Sequence, residues 1–192
     1  MKEKNQAQKI LNAAYTCISS KGYANVTLRE IASKAGVVLS QLNYYFGNKE
    51  GLFIEVIKMT IEKYMCEIKK VLSKGETAKE KLSSLVDFFK GILNKEPGLF
   101  RIWYDFTGLS IWSSSFNELL KKLFDDIAEL IEENIFSKTT LGVNFKGYTS
   151  KSIARMILGS IFGVAIQMIL DPEQKEIPDA MDAIRIILEG HE

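Results

Sequence analysis

The side chains that most often perform catalysis or bind metals are scarce in this sequence. Its single histidine, His191, stands at the C-terminal end, where we expect a frayed chain. Histidine acid–base, triad and metal chemistry are therefore disfavoured. The carboxylate pairs Asp125–Asp126 and Glu132–Glu133 fit solvated helix faces, and no Gly-x-Gly-x-x-Gly or Walker-type loop occurs. We expect a protein that is not an enzyme and that has no catalytic residue, no metal site and no cofactor.

The distribution of charge favours a different chemistry, the neutralisation of phosphates. The net charge of the whole chain is +1. The first fifty residues carry seven Lys or Arg against three Glu, a balance of +4, which leaves −3 for the remainder. A basic end on a slightly acidic body fits a local contact with DNA, although solvated helix faces often have a similar composition. Charge alone is therefore weak evidence for nucleic-acid binding.

Size and composition are those of an ordinary globular protein. The 192 residues, 46% hydrophobic and 26% charged, can bury a core in one or two domains. Two cysteines within helical patterns, Cys17 and Cys66, indicate a reducing compartment rather than a disulfide framework. We find no run of eighteen apolar residues and no secretory signal in the polar N-terminus. The sequence thus predicts a cytoplasmic protein with no membrane partner.

The elements that must position any binding residue are helical. Apolar residues recur at helical spacing almost throughout, and no segment alternates convincingly with period two. Glycine, proline and capping signals divide this pattern and predict an all-α fold of nine helices. The expected helices are one that ends near residue 21 and then 28–35, 38–46, 49–72, 78–95, 99–112, 116–136, 150–170 and 179–189, with a loop over 138–148.

Two short helices near the N-terminus have the spacing of a helix-turn-helix. Thr27 and Glu30 form a capping box, in which each side chain satisfies a free backbone donor at a helix start. The first helix ends at Ala35-Gly36, where glycine permits a sharp turn and Val37 can fill the corner. In such a motif the second helix enters the major groove and the first braces it across the backbone.

These residues resemble the tetracycline-repressor (TetR) family of regulators. The family motif is represented here by four segments, Lys21-Gly-Tyr23, Thr27-Leu-Arg-Glu-Ile-Ala-Ser-Lys-Ala-Gly-Val37, Leu42-Asn-Tyr-Tyr-Phe46 and Lys49-Glu-Gly-Leu52. The resemblance implies a DNA-binding domain over 1–50 and a ligand-binding and dimerisation domain over 51–192, connected by the long helix of about 49–72. It also implies a homodimer on a palindromic double-stranded DNA operator, released by a small-molecule effector, and favours repression over activation.

The resemblance also assigns roles within the motif. Four residues correspond to phosphate contacts: Thr27, Tyr44, Tyr45 and Lys49. Gln41 is the first candidate for reading a base, because its amide can pair with an adenine edge through two hydrogen bonds. Secondary candidates are Leu39, Ser40 and Asn43. Packing alone is the alternative for the two tyrosines, and packing is our expectation for Phe46.

Three positions in this region depart from the family pattern. The family usually has serine where Val38 stands, so the cap of the recognition helix is weaker or moves to Ser40. Glycine is common where Ser40 stands, and tyrosine where Asn43 stands. These changes bear on which operator is read rather than on the fold.

Aromatic residues concentrate in the centre of the chain and predict an effector site. Nine of the twenty aromatics fall within residues 88–124. Because small-molecule sites are typically apolar with a few polar groups, we expect a hydrophobic or aromatic effector here. The alternative for any one of these residues is ordinary core packing. The candidate effector-binding residues are Tyr64, Met65, Trp103, Phe106, Phe124 and Gln167.

The last two helices are candidates for a dimer interface. Residues 153–170 are apolar on more than one side, so this helix should be largely buried. Small residues within it would permit close helix approach across a two-fold axis. The resemblance implies that both helices pair with their symmetry mates. The candidate interface residues are Met156, Gly159, Gly163, Ile184, Ile187 and Leu188.

The competing function is a helical small-molecule sensor or adaptor that has lost operator binding. The substitutions at Val38, Ser40 and Asn43 favour it. Retention of Tyr44, Tyr45, Lys49 and the basic N-terminal balance speaks against it.

Overall fold

The computed structural model describes residues 2–136 and 147–188. Within these ranges the chain forms nine α-helices, one π-helical turn (Glu132–Phe136) and one 3₁₀ helix (Ala183–Leu188), and no strand. The predicted all-α fold is confirmed. The helices are α1 (Lys2–Lys21), α2 (Leu28–Ala35), α3 (Leu39–Phe46), α4 (Lys49–Leu72), α5 (Ala78–Lys95), α6 (Pro97–Ser110), α7 (Ser114–Ile131), α8 (Ser150–Leu170) and α9 (Glu176–Asp182).

The chain divides into two compact units. Unit 1 comprises Met1–Lys63 and Arg101–Glu118, and unit 2 comprises Tyr64–Phe100 and Leu119–Glu192. Unit 1 thus holds more than the first fifty residues, since it includes much of α4 and α6. The functional division at residue 50 stays a prediction.

Unit 1 has its core where α1 meets the two short helices. The apolar stripe predicted for α1 is buried, with Ile10 and Ala14 fully inaccessible to solvent. Ile31 of α2 and Leu42 of α3 are equally inaccessible. One apolar face per helix is therefore turned inward, and the remaining faces of α2 and α3 stay available for binding.

Local capping signals fix several helix starts as the sequence predicts. The Thr27 hydroxyl accepts the Glu30 amide and the Glu30 carboxylate accepts the Thr27 amide, so the capping box of α2 is complete. Thr77 and Glu80 form the same arrangement at α5, and Thr149 caps α8. These groups satisfy backbone donors that a helix start leaves unpaired.

Three predicted helix starts are wrong, and proline explains two of them. The third is α7, which begins at Ser114 rather than at residue 116. Helix α6 begins at Pro97 rather than near Leu99, and α9 begins at Glu176 rather than after Asp179. Proline fits the first turn of a helix, because the amide hydrogen that it lacks would be unpaired there anyway. Pro97 and Pro178 therefore lie inside first turns, and Pro97 opens a helix where it was expected only to end the preceding one.

The C-terminal parts of two predicted helices are not regular α-helix. Helix α7 ends at Ile131 and continues as the π-helical turn, and α9 gives way to the 3₁₀ helix. The predicted end at Glu189 and most of the predicted loop over 138–148 lie outside the described residues.

Helix α8 is the most apolar element of unit 2. By length and composition alone it could cross a membrane, with a mean hydropathy of 1.9 over its best window, although it contains no uninterrupted run of eighteen apolar residues. Only 39% of that window is buried within the chain, less than the expected burial. Its buried residues lie on one side, and an apolar strip on the other side remains exposed.

Candidate nucleic-acid interface and effector site

The turn between α2 and α3 is set by a glycine in the left-handed region. Gly36 has φ 68° and ψ 35°, and its amide donates to the carbonyls of Ala32 and Ser33. Helix α3 then begins at Leu39, with Val38 as its N-cap residue and no side-chain hydrogen bond. The expected weak cap is confirmed, and its suggested shift to Ser40 is wrong.

Helix α3 presents a polar surface to solvent. Its one buried residue is Leu42, which anchors the helix in unit 1. Leu39 and Gln41 are half-buried, and the remaining side chains of this surface are exposed. We call Leu39, Ser40, Gln41, Asn43 and Tyr44 the reading surface.

The aromatic run at the end of α3 divides between exposure and packing. Tyr44 is 80% exposed and meets the edge of the Tyr45 ring, with 5.4 Å between centroids. Tyr45 and Phe46 are half-buried, with 6.2 Å between their centroids. Packing alone therefore does not account for Tyr44, whereas Phe46 packs as expected.

Lys49 stands at the start of α4, where its ammonium group is partly engaged. The nitrogen lies 4.5 Å from the centre of the Tyr23 ring and donates to the Ala24 carbonyl at 3.4 Å. A cation over an aromatic face is stabilised by the ring quadrupole. Lys49, which is predicted to contact a phosphate, is thus held near the loop between α1 and α2.

The junction of α3 and α4 depends on two residues that the sequence analysis did not assign. The Asn48 side chain accepts the Gly51 amide at 2.8 Å and caps α4. A side chain on Gly51 would place its Cβ 2.4 Å from the Phe46 carbonyl oxygen, far inside contact distance. The close approach of α4 to the end of the recognition helix therefore requires glycine. The Gly-Asn-Lys-Glu-Gly spacing was the available signal.

Thr27 is occupied by its capping role. Its hydroxyl donates to a Glu30 carboxylate oxygen at 3.0 Å, while Glu30 also accepts from Lys21 at 2.9 Å. The hydrogen bond from Lys21, followed by those from Thr27, lowers the pKa of Glu30 to about 2. Thr27 is exposed beside this pair, but its hydroxyl hydrogen points to Glu30 rather than outward.

A row of aromatic rings extends from Tyr23 into the core of unit 1. Tyr23 stacks on Phe53 at 4.6 Å, and Phe53 meets Phe116 at 5.7 Å. Phe116 in turn meets Phe106, which packs on Trp103. Phe106 is fully buried and Trp103 nearly so, which is how ordinary core residues behave. Their predicted role in effector binding remains a prediction.

The loop that carries Tyr23 is also tied to α6. The Tyr23 amide donates to the Asp105 carboxylate at 2.7 Å. Gly22, directly before it, has φ 80°, a conformation that favours glycine. The end of α1, the start of α4 and α6 thus meet around Tyr23 within unit 1.

Unit 2 contains a phenylalanine cluster centred on Phe162 of α8. Its ring lies 5.9 Å from Phe124, 6.2 Å from Phe100 and 6.3 Å from Phe89. Phe124 and Phe162 are half-buried. Phe124 is among the predicted effector-binding residues, whereas Phe162 was expected only to belong to an apolar helix. The ring edges leave an apolar surface that a small molecule can contact.

The other predicted effector residues of unit 2 have different surroundings. The Tyr64 hydroxyl donates to Glu96 at 2.9 Å, and Met65 is half-buried. Gln167 is exposed and donates to the Gly163 carbonyl at 3.1 Å. It lines a groove of about 450 Å³ beside α8 rather than the phenylalanine cluster.

That groove holds most of the predicted dimer residues. Met156, Gly163, Ile184 and Ile187 line it. Exposed Gly159 lies on the same helix, whereas Ile184 and Leu188 are only 5% and 4% exposed and belong to the core of their own chain. The other lining residues are Ser160, Val164, Gln167, Ala180, Ala183 and Ile186. We call this the α8–α9 groove.

The sequence pattern of unit 1 matches a known family of regulators. The family described as "Bacterial regulatory proteins, tetR family" matches residues 10–56, which span the second half of α1, α2, α3 and the start of α4. Residues 10–56 of this chain belong to the tetR family of bacterial regulatory proteins. The predicted family and its regulatory function are confirmed.

Curated relatives of this chain include one that is similar along most of its length and one that is similar over less than a third of it. The fatty acid metabolism regulator protein of Bacillus subtilis (strain 168) is 24% identical over 184 residues, which are 92% of this chain and 91% of that protein. The regulator RutR of Escherichia coli (strain K12) is 37% identical over 60 residues, 31% of this chain and 28% of RutR. These relatives are regulators and not enzymes.

Solved structures share the TetR-family fold over the whole chain. A transcriptional regulator from Saccharomonospora viridis, in complex with choline, has a TM-score of 0.85 at 19% identity and covers 97% of each chain. The fatty acid degradation regulator FadR from Bacillus halodurans has a TM-score of 0.75 at 19% identity, over 95% of this chain and 98% of FadR.

The described ranges, 2–136 and 147–188, include no group of three or more His, Cys, Asp or Glu side chains that could hold a metal ion. Cys17 is buried and Cys66 exposed, and both are free thiols.

Proposed function

We propose that this TetR-family protein is a homodimeric repressor that binds a palindromic operator in double-stranded DNA and releases it when a hydrophobic or aromatic effector binds. The observation that carries the proposal is the reading surface, a largely exposed polar face on a helix whose position is set by Gly36 and Gly51. A helix presented in this way can enter the major groove.

Within the operator we assign base reading to Gln41 first. Its amide can accept from and donate to one adenine edge, which discriminates among bases. Leu39, Ser40 and Asn43 flank it and refine the choice of sequence. Tyr44, Tyr45 and Lys49 contact phosphates and set the register of the helix on the duplex. Thr27 joins them when its hydroxyl exchanges its hydrogen bond to Glu30 for one to a phosphate oxygen.

A second copy of the chain covers the α8–α9 groove in this proposal. Met156 and Ile186 in the groove are 47% and 60% exposed, which is unusual for large apolar side chains. Gly159 and Gly163 lie on the exposed side of α8 and would permit close helix approach. A dimer buries these groups without a membrane, so we propose a cytoplasmic protein.

The effector site in this proposal includes the phenylalanine cluster of unit 2. Phe124 and Phe162 present partly exposed rings, and Tyr64 and Met65 belong to the same unit. One similar structure is a complex with choline and another is a regulator of fatty acid degradation. For this chain we propose only the broader class of apolar or aromatic molecules, with Phe162 added to the predicted residues.

Release follows from a difference in effector affinity between two states of the dimer. An effector that prefers the state with the wrong spacing of recognition helices weakens DNA binding. A coupling of about 1–3 kcal/mol weakens it by roughly 5–150-fold.

The test is DNA binding by the purified protein. Fragments from the region upstream of its own gene are assayed by gel shift at two salt concentrations, and shifted bands are footprinted. A protected palindrome with steep salt dependence supports the proposal and provides a probe for effectors. A folded dimer that protects no sequence indicates instead a sensor or adaptor without operator binding.

A further inference from the structure

An open cleft of about 510 Å³ lies between α1 and α2 in unit 1. Helix α1 contributes Cys17, Ser20 and Lys21, which are three and four residues apart and so share one face. Helix α2 contributes a second such strip. Its members are Arg29, Glu30, Ser33 and Lys34. None of the DNA, effector or dimer contacts proposed above uses this cleft.

The cleft concentrates positive charge. Three cations, Lys21, Arg29 and Lys34, line it together with a single carboxylate, which leaves a net charge of +2. That carboxylate, Glu30, is already paired with Lys21 at 2.9 Å and accepts from Thr27. Because its pKa is lowered to about 2 by these bonds, it stays ionised and paired. Arg29 and Lys34 carry the uncompensated charge.

The donors of α2 in this cleft have no partner inside the described part of the chain. Neither Arg29 nor Lys34 forms an ion pair there, and the Ser33 hydroxyl forms no hydrogen bond. An anion in the cleft would be attracted by both of these cations. A guanidinium, an ammonium and a hydroxyl around a concave surface suit a phosphate, since arginine can bind two of its oxygens at once.

We propose that this cleft binds a phosphate group, and that in the protein–DNA complex this is a backbone phosphate beyond those held by Lys49 and the tyrosines. The inference rests on the proposed DNA-binding function. Arg29 and Lys34 supply charge and direct donors, and Ser33 supplies a neutral one. The contact carries no base information and adds affinity to any sequence.

The experiment compares the double variant Arg29→Gln/Lys34→Gln with wild type on a 40-bp duplex of random sequence. Affinity is measured by fluorescence anisotropy at several salt concentrations. One lost phosphate contact lowers the magnitude of the slope of log K against log salt by about 0.9. If wild type and double variant bind equally at 1 M salt, the double variant then binds roughly eightfold more weakly than wild type at 0.1 M salt. The control, Lys70→Gln, removes an exposed lysine of α4 that lies outside the cleft.

A second arm separates a DNA phosphate from a free one. Inorganic phosphate is titrated into each protein without DNA at constant ionic strength, and amide chemical shifts of α2 are followed. A reduced salt slope in the double variant alone supports the DNA phosphate. An unchanged slope, with phosphate-induced shifts lost only in the double variant, assigns the cleft to a free phosphate anion. Unchanged behaviour in both arms overturns the proposal.

Failure of the proposed function is recognisable separately. If the wild type itself binds no duplex, the repressor proposal fails, and the phosphate titration still decides whether the cleft is an anion site. If the wild type binds and the double variant matches it in both arms, only the cleft proposal fails. Thermal unfolding of each variant confirms that these exposed substitutions leave the fold intact.

Discussion

The reading surface of unit 1 and the α8–α9 groove of unit 2 are built in opposite ways. The first is polar and lies on a short helix whose ends are fixed by nearby backbone signals, Gly36 before it and Gly51 after it. The second is apolar and forms where a long helix meets a 3₁₀ segment. Binding specificity is thus placed on locally determined structure, whereas the surface proposed for self-association depends on distant packing.

The groove provides the largest expected effect. In Ile186→Glu a carboxylate would stand where the proposed dimer buries an apolar side chain that is 60% exposed in the single chain. An unpaired buried charge costs on the order of 3 kcal/mol, more than a hundredfold in the dimer dissociation constant. Sedimentation velocity over a range of protein concentrations measures the change.

The matched control for this variant is Ile111→Glu. Ile111 is 71% exposed in unit 1 and lies outside the groove. The Ile111→Glu substitution should leave the dimer dissociation constant unchanged. Equal behaviour of the two variants would show that the groove is not the interface.

The junction of α3 and α4 provides the next largest effect, and it tests whether local backbone geometry positions the reading surface. Gly51→Ala places a Cβ 2.4 Å from the Phe46 carbonyl oxygen, so one of the two helices must shift. Forced overpacking typically costs about 1–3 kcal/mol. We expect lower stability to urea together with weaker DNA binding.

Gly108→Ala is the control for this substitution in the same unit. Gly108 lies within α6 and its Cβ would meet nothing within 4 Å. Alanine there should stabilise the helix by up to about 1 kcal/mol. If Gly51→Ala behaves as Gly108→Ala does, the close approach of α4 to α3 plays no part in positioning the reading surface.

The smallest expected effect concerns the charge at the start of α2. The Lys21 hydrogen bond, and then those from Thr27, lower the pKa of Glu30 from its usual 4.5 to about 2. A lowered pKa stabilises the fold above about pH 4.5, and this stabilisation is lost as the pH falls towards 2. Glu30→Gln keeps a side chain that can complete the capping box but removes the charge.

Urea unfolding between pH 7 and pH 3 measures this contribution. The wild type should exceed Glu30→Gln in stability at neutral pH, and the difference should shrink as the pH falls. Glu80 holds the corresponding position in the capping box of α5, in unit 2. Its pKa is lowered by hydrogen bonds from the Glu76 and Thr77 amides, without a lysine partner among the causes. A difference between wild type and Glu30→Gln that does not change with pH would remove the Lys21 pairing from the account.

The contrast between the two regions also explains how far the sequence could predict the molecule. Thr27, Gly36 and Thr77 act on backbone groups a few residues away, and their helix ends are as expected. The requirement for glycine at position 51 was not predicted, because it arises from the close approach of a different helix.

The groove shows the limit more clearly. Ile184 and Leu188 were chosen as one apolar stripe, and both are buried with Met181 inside their own chain. The stripe therefore packs within the chain, whereas Ile186, which lies outside it, is exposed. Gln167 was assigned to the effector site from its type alone, and its position in the groove follows from packing that no local pattern encodes.

The central claim is that a two-fold symmetric dimer reads DNA through Gln41, and selection from a library of random duplexes tests it most directly. The wild type should enrich an inverted repeat. Gln41→Ala should lose preference at one base pair in each half-site, at a cost of about 1–3 kcal/mol, while Lys49→Ala should enrich the same repeat with uniformly weaker binding. No enriched sequence from a folded wild-type dimer, or identical preferences in wild type and Gln41→Ala, would contradict the account.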